Sequence, residues 1–218
     1  MAARAGALDR YGLLLALIAL SLAFQLAAPA EDWARLVTVG LQGATLMLAL
    51  WTSRVHPLLL RFASVAVGVA LIGSATAVLG GGEVARDGTA LVNLLLVGVA
   101  PGAIAVGVVR YMREDRGVTL ATMFGVLCIY LLLGMFFAFL YGVIDALGSS
   151  GFFAQRIDAS HADFLYFSFT TLTTTGYGDL TAGTGLGRAF AITEALTGQV
   201  YLVTIVAAIV ANLRPRGA

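Results

Sequence analysis

Long uncharged stretches alternate with short charged ones along most of this chain. Segments free of Asp, Glu, Lys and Arg run 11–30, 36–53, 62–82, 88–109 and 117–144, and a sixth, 189–213, is broken only by Glu194. A helix that crosses the hydrocarbon core of a bilayer needs roughly 20 apolar residues, each advancing about 1.5 Å through about 30 Å of lipid tails. The pattern therefore predicts six spanning helices. A further uncharged stretch, 164–178, is too short to cross and ends in glycines. It reads as re-entrant, a half-helix that enters and returns as extended chain. Such backbone survives at membrane depth only inside protein or along a water-filled path.

Composition agrees. Of 218 residues 60% are apolar and only 11% charged, against about a quarter charged in soluble domains. Twenty-six glycines beside four prolines, with a mean hydropathy of +0.93, exclude a disordered or collagen-like chain. A formal charge of +1 argues against a nucleic-acid binder, which needs a basic face. The single cysteine, Cys128, lies in an apolar run and offers neither an internal disulfide nor a zinc cluster. The class expected is an all-α integral membrane protein: six transmembrane helices plus a re-entrant pore helix and an extended loop.

Arg4 and Arg10 precede the first span and Ala28-Pro29-Ala30 resembles a small-residue cleavage site, so a signal peptide is one reading. The uncharged run exceeds a usual signal core, and an uncleaved helix is expected. Arginine sets the orientation, since lysine is absent. With both termini cytoplasmic, nine arginines fall inside (4, 10, 54, 61, 110, 113, 116, 214 and 216) and four outside (35, 86, 156 and 188). That is the bias of the positive-inside rule. Eight acids fall outside, Asp179 among them. An acidic outer face concentrates cations, although short solvated loops explain all of these acids except Asp179 equally well. The expected location is the inner or plasma membrane.

The re-entrant segment reads Phe164-Leu-Tyr-Phe-Ser-Phe-Thr-Thr-Leu-Thr-Thr-Thr-Gly-Tyr-Gly-Asp179. A dehydrated potassium ion needs oxygen ligands in place of water, and a ring of backbone carbonyls supplies them. For successive carbonyls to face one axis, alternate residues must adopt conformations that glycine adopts cheaply, and Gly176 and Gly178 sit at alternate positions. The Thr174 hydroxyl suits the inner end. Tyr177 is expected to point away from the axis and brace the strand against Tyr166 and Phe167. Residues 164–173 would form the half-helix, its negative C-terminal end aimed at the ion path.

Thr174-Thr175-Gly176-Tyr177-Gly178-Asp179 resembles the potassium-channel selectivity filter, usually written T-V-G-Y-G-D. The likeness covers roughly 117–213, a pore unit of outer helix, pore helix, filter and inner helix. It implies potassium coordination by Thr174, Thr175, Gly176 and Tyr177, with Gly178 as a further filter residue. Thr175 departs from the commoner valine, keeping the β-branch and adding a hydroxyl. One filter copy per chain requires four chains to close a carbonyl ring, so a homotetramer is expected. No cofactor is implied beyond potassium ions in the filter, and the partners expected are further copies of the chain and membrane lipid.

The resemblance implies that Asp179 braces the filter by a hydrogen bond to the pore helix. The pore-helix position four residues before Thr174, often acidic in bacterial relatives, is Thr170 here. Glu194 is the one acid well inside a spanning segment, where an ionised group costs at least about 2.5 kcal/mol unless paired or hydrated. It suits a hydrogen-bond acceptor behind the filter, from the threonine-rich pore helix, or an electrostatic bias on the cavity. A structural hydrogen bond or a protonated acid unrelated to conduction is the other reading, and the structural role is the one expected. Gly198 matches the mid-helix glycine of the inner helix in many potassium channels. A gating hinge and a close-packing contact are equal readings of it.

The chain divides into an N-terminal four-helix module, 1–116, and a pore module, 117–218. Arg110, Arg113 and Arg116 recur every third residue as in a voltage sensor, but at the cytoplasmic end of the fourth span after 22 uncharged residues. The first three spans hold no acid to stabilise arginines in transit, and Pro101 sits mid-span. Moving one charge across the field is worth about 2.3 kcal/mol per 100 mV only if the charge moves. Positive-inside placement is the expected explanation, with weak voltage sensitivity as the alternative. Gly80-Gly81-Gly82 lacks a phosphate-loop pattern, and residues 214–218 hold no sensing domain. An enzyme is not expected: Gly148-Ser149-Ser150-Gly151 matches the G-x-S-G string of rhomboid-like proteases, but the later helices lack the histidine base, His161 lying in the outer loop and His56 on the opposite side. A Trk-type transporter would need four filter loops in one chain.

Overall fold

The computed structural model describes residues 2–28, 31–53, 61, 63–69, 71–73, 84–115, 119–148, 151–207 and 211. Within them the regular elements are all helices, with an isolated β-bridge between Phe153 and Ala182. The elements are α1 (Ala2–Ala27), α2 (Asp32–Thr52), α3 (Val84–Asp115), α4 (Leu120–Leu147), α5 (His161–Leu172) and α6 (Gly185–Val200), followed by a π-helical turn, Tyr201–Val206. Among the described residues three helices are long and apolar enough to cross a membrane, over Asp9–Ala27 of α1, Asn93–Arg110 of α3 and all of α4. The apolar part of α2, Leu36–Thr52, is shorter. The protein is an all-α membrane protein. Of the third predicted span, residues 63–69 and 71–73 are helical and the others lie outside the described residues, as do Pro29, Ala30, the three glycines 80–82, Ser149, Ser150, His56, Arg116 and residues 212–218.

Helix α4 is the axis of the fold. It starts on a reciprocal cap, Thr119 and Thr122 each facing the other's backbone amide. It then runs through Cys128, Leu132, Met135, Ala138 and Tyr141, all inaccessible to solvent. Such a helix, apolar nearly all round, must be covered on several sides. Helix α1 covers it with Tyr11, Leu14 and Ile18, α3 with Ala100, Ile104 and Val108, and α5 with Phe164 and Leu165. Glycines set the spacing. A Cβ on Gly125 would stand 2.5 Å from Val108 Cγ2, and one on Gly134 would stand 2.7 Å from Phe169 Cζ. One hydrophobic core therefore runs from the N-terminal helices into the pore segment. Arg10, just before the apolar run of α1, lies over the Trp51 ring of α2, 4.4 Å from its centroid, a cation–π contact suited to the water interface.

Helix α4 stops at Gly148, and the Asp145 carboxylate turns the chain by accepting the Phe152 amide at 2.6 Å. Gly151, at φ +73°, takes the left-handed conformation this reversal needs. The loop then pairs with the segment after the filter. Gly183 donates to the Phe152 carbonyl and Ala154 to the Thr181 carbonyl, each at 2.8 Å. Gln155 adds two bonds of 3.1 Å to Thr181, one to its hydroxyl and one from its amide. Both ends of the re-entrant loop are thereby tied to a single clasp.

Candidate ion-conduction site

The half-helix α5 begins on Ser160, whose backbone amide and hydroxyl both donate to Asp163 Oδ2, at 2.8 and 2.7 Å, while Asp163 N donates back to Ser160 Oγ. An acid in the first turn also suits the positive end of the helix dipole. Behind the helix, Phe164 and Phe167 enter a group of rings with Tyr141, Phe152 and Phe153, centroids 4.7–5.9 Å apart. Edge-to-face and offset packing of this kind resists rotation of the helix. At its entry His161 stacks on Phe139, centroids 4.5 Å apart, and hydrogen-bonds Gln25 Oε1 of α1 at 2.9 Å. Gln25 donates its amide protons to Ser21, so its oxygen is the acceptor and His161 Nε2 the donor. Burial pushes the His161 imidazole down to about 4.

The helix ends at Leu172, and the next residues leave it in a repeating manner. Thr174, Gly176 and Gly178 have φ of +58°, +52° and +80°. Left-handed conformations at every second residue turn successive carbonyls toward one side of the strand, and only the threonine incurs a steric cost there. The Gly176 amide donates to the Thr170 carbonyl at 3.1 Å, and the Thr174 amide to that of Thr171 at 2.9 Å. The strand is therefore anchored at its inner end to the last turn of α5. Its remaining length, through Asp179, is exposed on the single chain. The Thr175 side chain has a defined partner: its hydroxyl lies 2.8 Å from that of Thr173, which itself donates to the Phe169 carbonyl at 2.7 Å. Thr175 is thus the donor of the pair.

Tyr166 supports the strand twice. Its ring is parallel to that of Tyr177 within 3°, centroids 6.3 Å apart, and its hydroxyl donates to Asp179 Oδ2 at 2.8 Å. That hydrogen bond holds the Asp179 carboxyl below the usual carboxylate range. Phe167, expected on the same side as Tyr177, has its ring partners in the group behind the half-helix instead. Thr170 acts through its backbone, its hydroxyl being bonded to the Phe167 carbonyl at 3.0 Å.

Glu194 is completely buried. Tyr141 donates to its Oε2 at 2.5 Å, and the hydroxyl of Ser168 lies against its Oε1. Ser168 Oγ also stands 2.7 Å from the Gly134 carbonyl oxygen. Inner, pore and outer helices thus meet at one side chain. Neither partner was legible from spacing: Ser168 sits among threonines on α5, and Tyr141 is one aromatic in a run of them. Gly198 is buried against the end of α5. A Cβ there would overlap the Leu172 carbonyl oxygen and lie 3.0 Å from its carbon. Three residues further on, the inner helix widens into the π turn Tyr201–Val206, where Tyr201 donates to the Val126 carbonyl at 2.7 Å. Wider turns of this type often mark functional positions in helices; the apolar run carries no signal for one. Arg110 is exposed at the end of the α3 span, and Arg113 follows within the same helix.

Residues 125–214 match the family model described as "Ion channel". This part of the chain is an ion-channel domain, consistent with the potassium-channel resemblance of its filter residues. No curated protein matches the chain.

Proposed function

We propose that this protein is the subunit of a potassium-selective channel that conducts passively through a ring of four identical filter strands. Six spans, both termini cytoplasmic, and a place in the inner or plasma membrane complete the reading. The alternation of left-handed backbone at Thr174, Gly176 and Gly178 carries it. A strand with that alternation presents a file of carbonyl oxygens from Thr174, Thr175, Gly176 and Tyr177. In the low-dielectric surroundings of a membrane such a file replaces a hydration shell.

One strand cannot enclose an ion. The filter residues 173–179 are exposed on the single chain, with Tyr177 72% accessible, and so are Ile192, Leu196 and Val203 of the inner helix. Apolar and carbonyl-rich surfaces left open on one subunit support assembly about a common axis. Thr193 and Thr197, each bonded to the carbonyl four residues earlier, lie one turn apart on the inner helix and suit the wall of a wet cavity.

The N-terminal helices are packing partners of α4 rather than a strongly voltage-driven paddle. Gly98 of α3 lies against α4 so closely that a Cβ would stand 3.2 Å from Phe136 Cε2, and between Arg86 and Arg110 α3 carries no arginine. The reaction class is conduction, not catalysis. The test is flux from proteoliposomes containing the full chain, loaded with potassium or with sodium. Potassium release far faster than sodium release is expected. Equal release, or none from assembled protein, contradicts the proposal.

A further inference from the structure

The contacts of Glu194 leave one proton to be assigned. Tyr141 donates to Oε2, which settles that oxygen as an acceptor. Ser168 Oγ lies within hydrogen-bond distance of two oxygens, Oε1 of Glu194 and the carbonyl oxygen of Gly134. A serine hydroxyl carries a single proton and a backbone carbonyl carries none. Both contacts are filled only if the second proton comes from the carboxyl.

We propose that Glu194 is a neutral carboxylic acid that donates to Ser168, freeing the serine proton for the Gly134 carbonyl, so that a relay from Glu194 through Ser168 to Gly134 fastens the inner helix, the pore helix and the outer helix together. It rests on the channel reading for its consequence, which is that Glu194 is a positioning residue for the half-helix aimed at the filter. Were the group ionised, the serine proton would turn to it. Two oxygens 2.7 Å apart would then face each other with no proton between. A full charge would also be buried with no counter-ion at it among the described residues, which a membrane interior penalises heavily.

The surroundings fit a neutral group. Helix α4 presents the phenols of Tyr141 and, within electrostatic reach, Tyr130, whose own proton is on the Leu172 carbonyl at 3.3 Å. Helix α5 presents the Ser168 hydroxyl. The groups that bond the carboxyl are both hydroxyls, with no arginine or histidine between them.

Glutamine reproduces the neutral acid: its amide nitrogen donates to Ser168 and its oxygen accepts from Tyr141. The experiment compares the full-length protein with Glu194→Gln and Glu194→Ala in proteoliposome potassium flux, and records infrared difference spectra of wild type against Glu194→Gln at neutral pH. The expected result is a protonated-carboxyl carbonyl band present in wild type and lost in Glu194→Gln. Flux should stay near wild type in Glu194→Gln and fall roughly tenfold or more in Glu194→Ala, where a buried hydroxyl loses its partner. Raising the pH should slow wild type and leave Glu194→Gln unchanged. A wild-type spectrum without that band overturns the proposal, as does a Glu194→Gln protein that fails to fold or conducts no better than the alanine variant. Wild-type protein that shows the band but passes no potassium overturns the channel reading alone.

Discussion

Gly198 of the inner helix and Leu172 at the end of the pore helix are in backbone contact, with no space between them for a side chain. The Leu172 carbonyl is also the acceptor for Tyr130 of the outer helix. In this conformation Gly198 is a packing residue, whatever swing its backbone permits.

Gly198→Ala is therefore expected to destabilise the folded subunit by about 1–3 kcal/mol, the usual cost of overpacking a rigid site. Thermal unfolding in detergent checks this. A hinge without a packing role would leave the midpoint unchanged and alter only open probability.

Tyr166 joins the two sides of the filter strand, stacking on Tyr177 and bonding Asp179. Tyr166→Phe keeps the stack and removes the bond. The Asp179 carboxyl is held below its ordinary value chiefly by that hydroxyl. Its ionised form, and the brace it makes, persists above the ordinary carboxylate value and is lost only as pH falls through the lowered one. Wild-type conduction is expected to withstand external acid that already impairs Tyr166→Phe. Current recorded against external pH tests it, and coincident profiles would remove Asp179 from the brace.

His161 gives a second pH dependence. Its imidazole is depressed from 6.5 to about 4 by burial, so the unfolded chain binds a proton where the folded one does not. The stability from this group is complete above about 6.5, declines as pH falls, and is gone below about 4. His161→Gln is expected to lower the neutral-pH unfolding midpoint and to flatten the slope across that interval. An unchanged slope would show that the docking of α1 on α5 through Gln25 is not what acid releases.

The left-handed backbone at Gly176 and Gly178 was legible because alternate glycines in a short run of consecutive residues can be read directly. The brace between Tyr166 and Asp179 was half legible, since the resemblance supplied the acid and its direction but not the phenol as partner. The site around Glu194 was not. Gly134, Tyr141 and Ser168 come from two helices, and no spacing in the chain announces that their polar atoms converge. Gly198 shows the limit from the other side, because a small residue reads equally as hinge or contact until the Leu172 carbonyl is in place. Of the six predicted spans, hydropathy identified the helices that α1, α3 and α4 form, while the π turn at Tyr201 falls in an apolar run that carries no signal for it.

Thr175 departs from the usual filter residue, yet its hydroxyl is directed to Thr173 while its carbonyl stays on the strand. Thr175→Val is expected to keep potassium over sodium selectivity within about twofold, a lost neutral hydrogen bond at an exposed site being worth about 0.5–1.5 kcal/mol of local stability at most. Bi-ionic recordings decide it. A collapse of selectivity would place the hydroxyl itself among the ligands.

The most direct test of the whole account is the reversal potential of the purified, assembled protein in a planar bilayer with potassium on one side and sodium on the other. Four carbonyl-bearing strands around one axis predict a reversal close to the potassium equilibrium potential. A reversal near zero or toward the sodium equilibrium potential would contradict it.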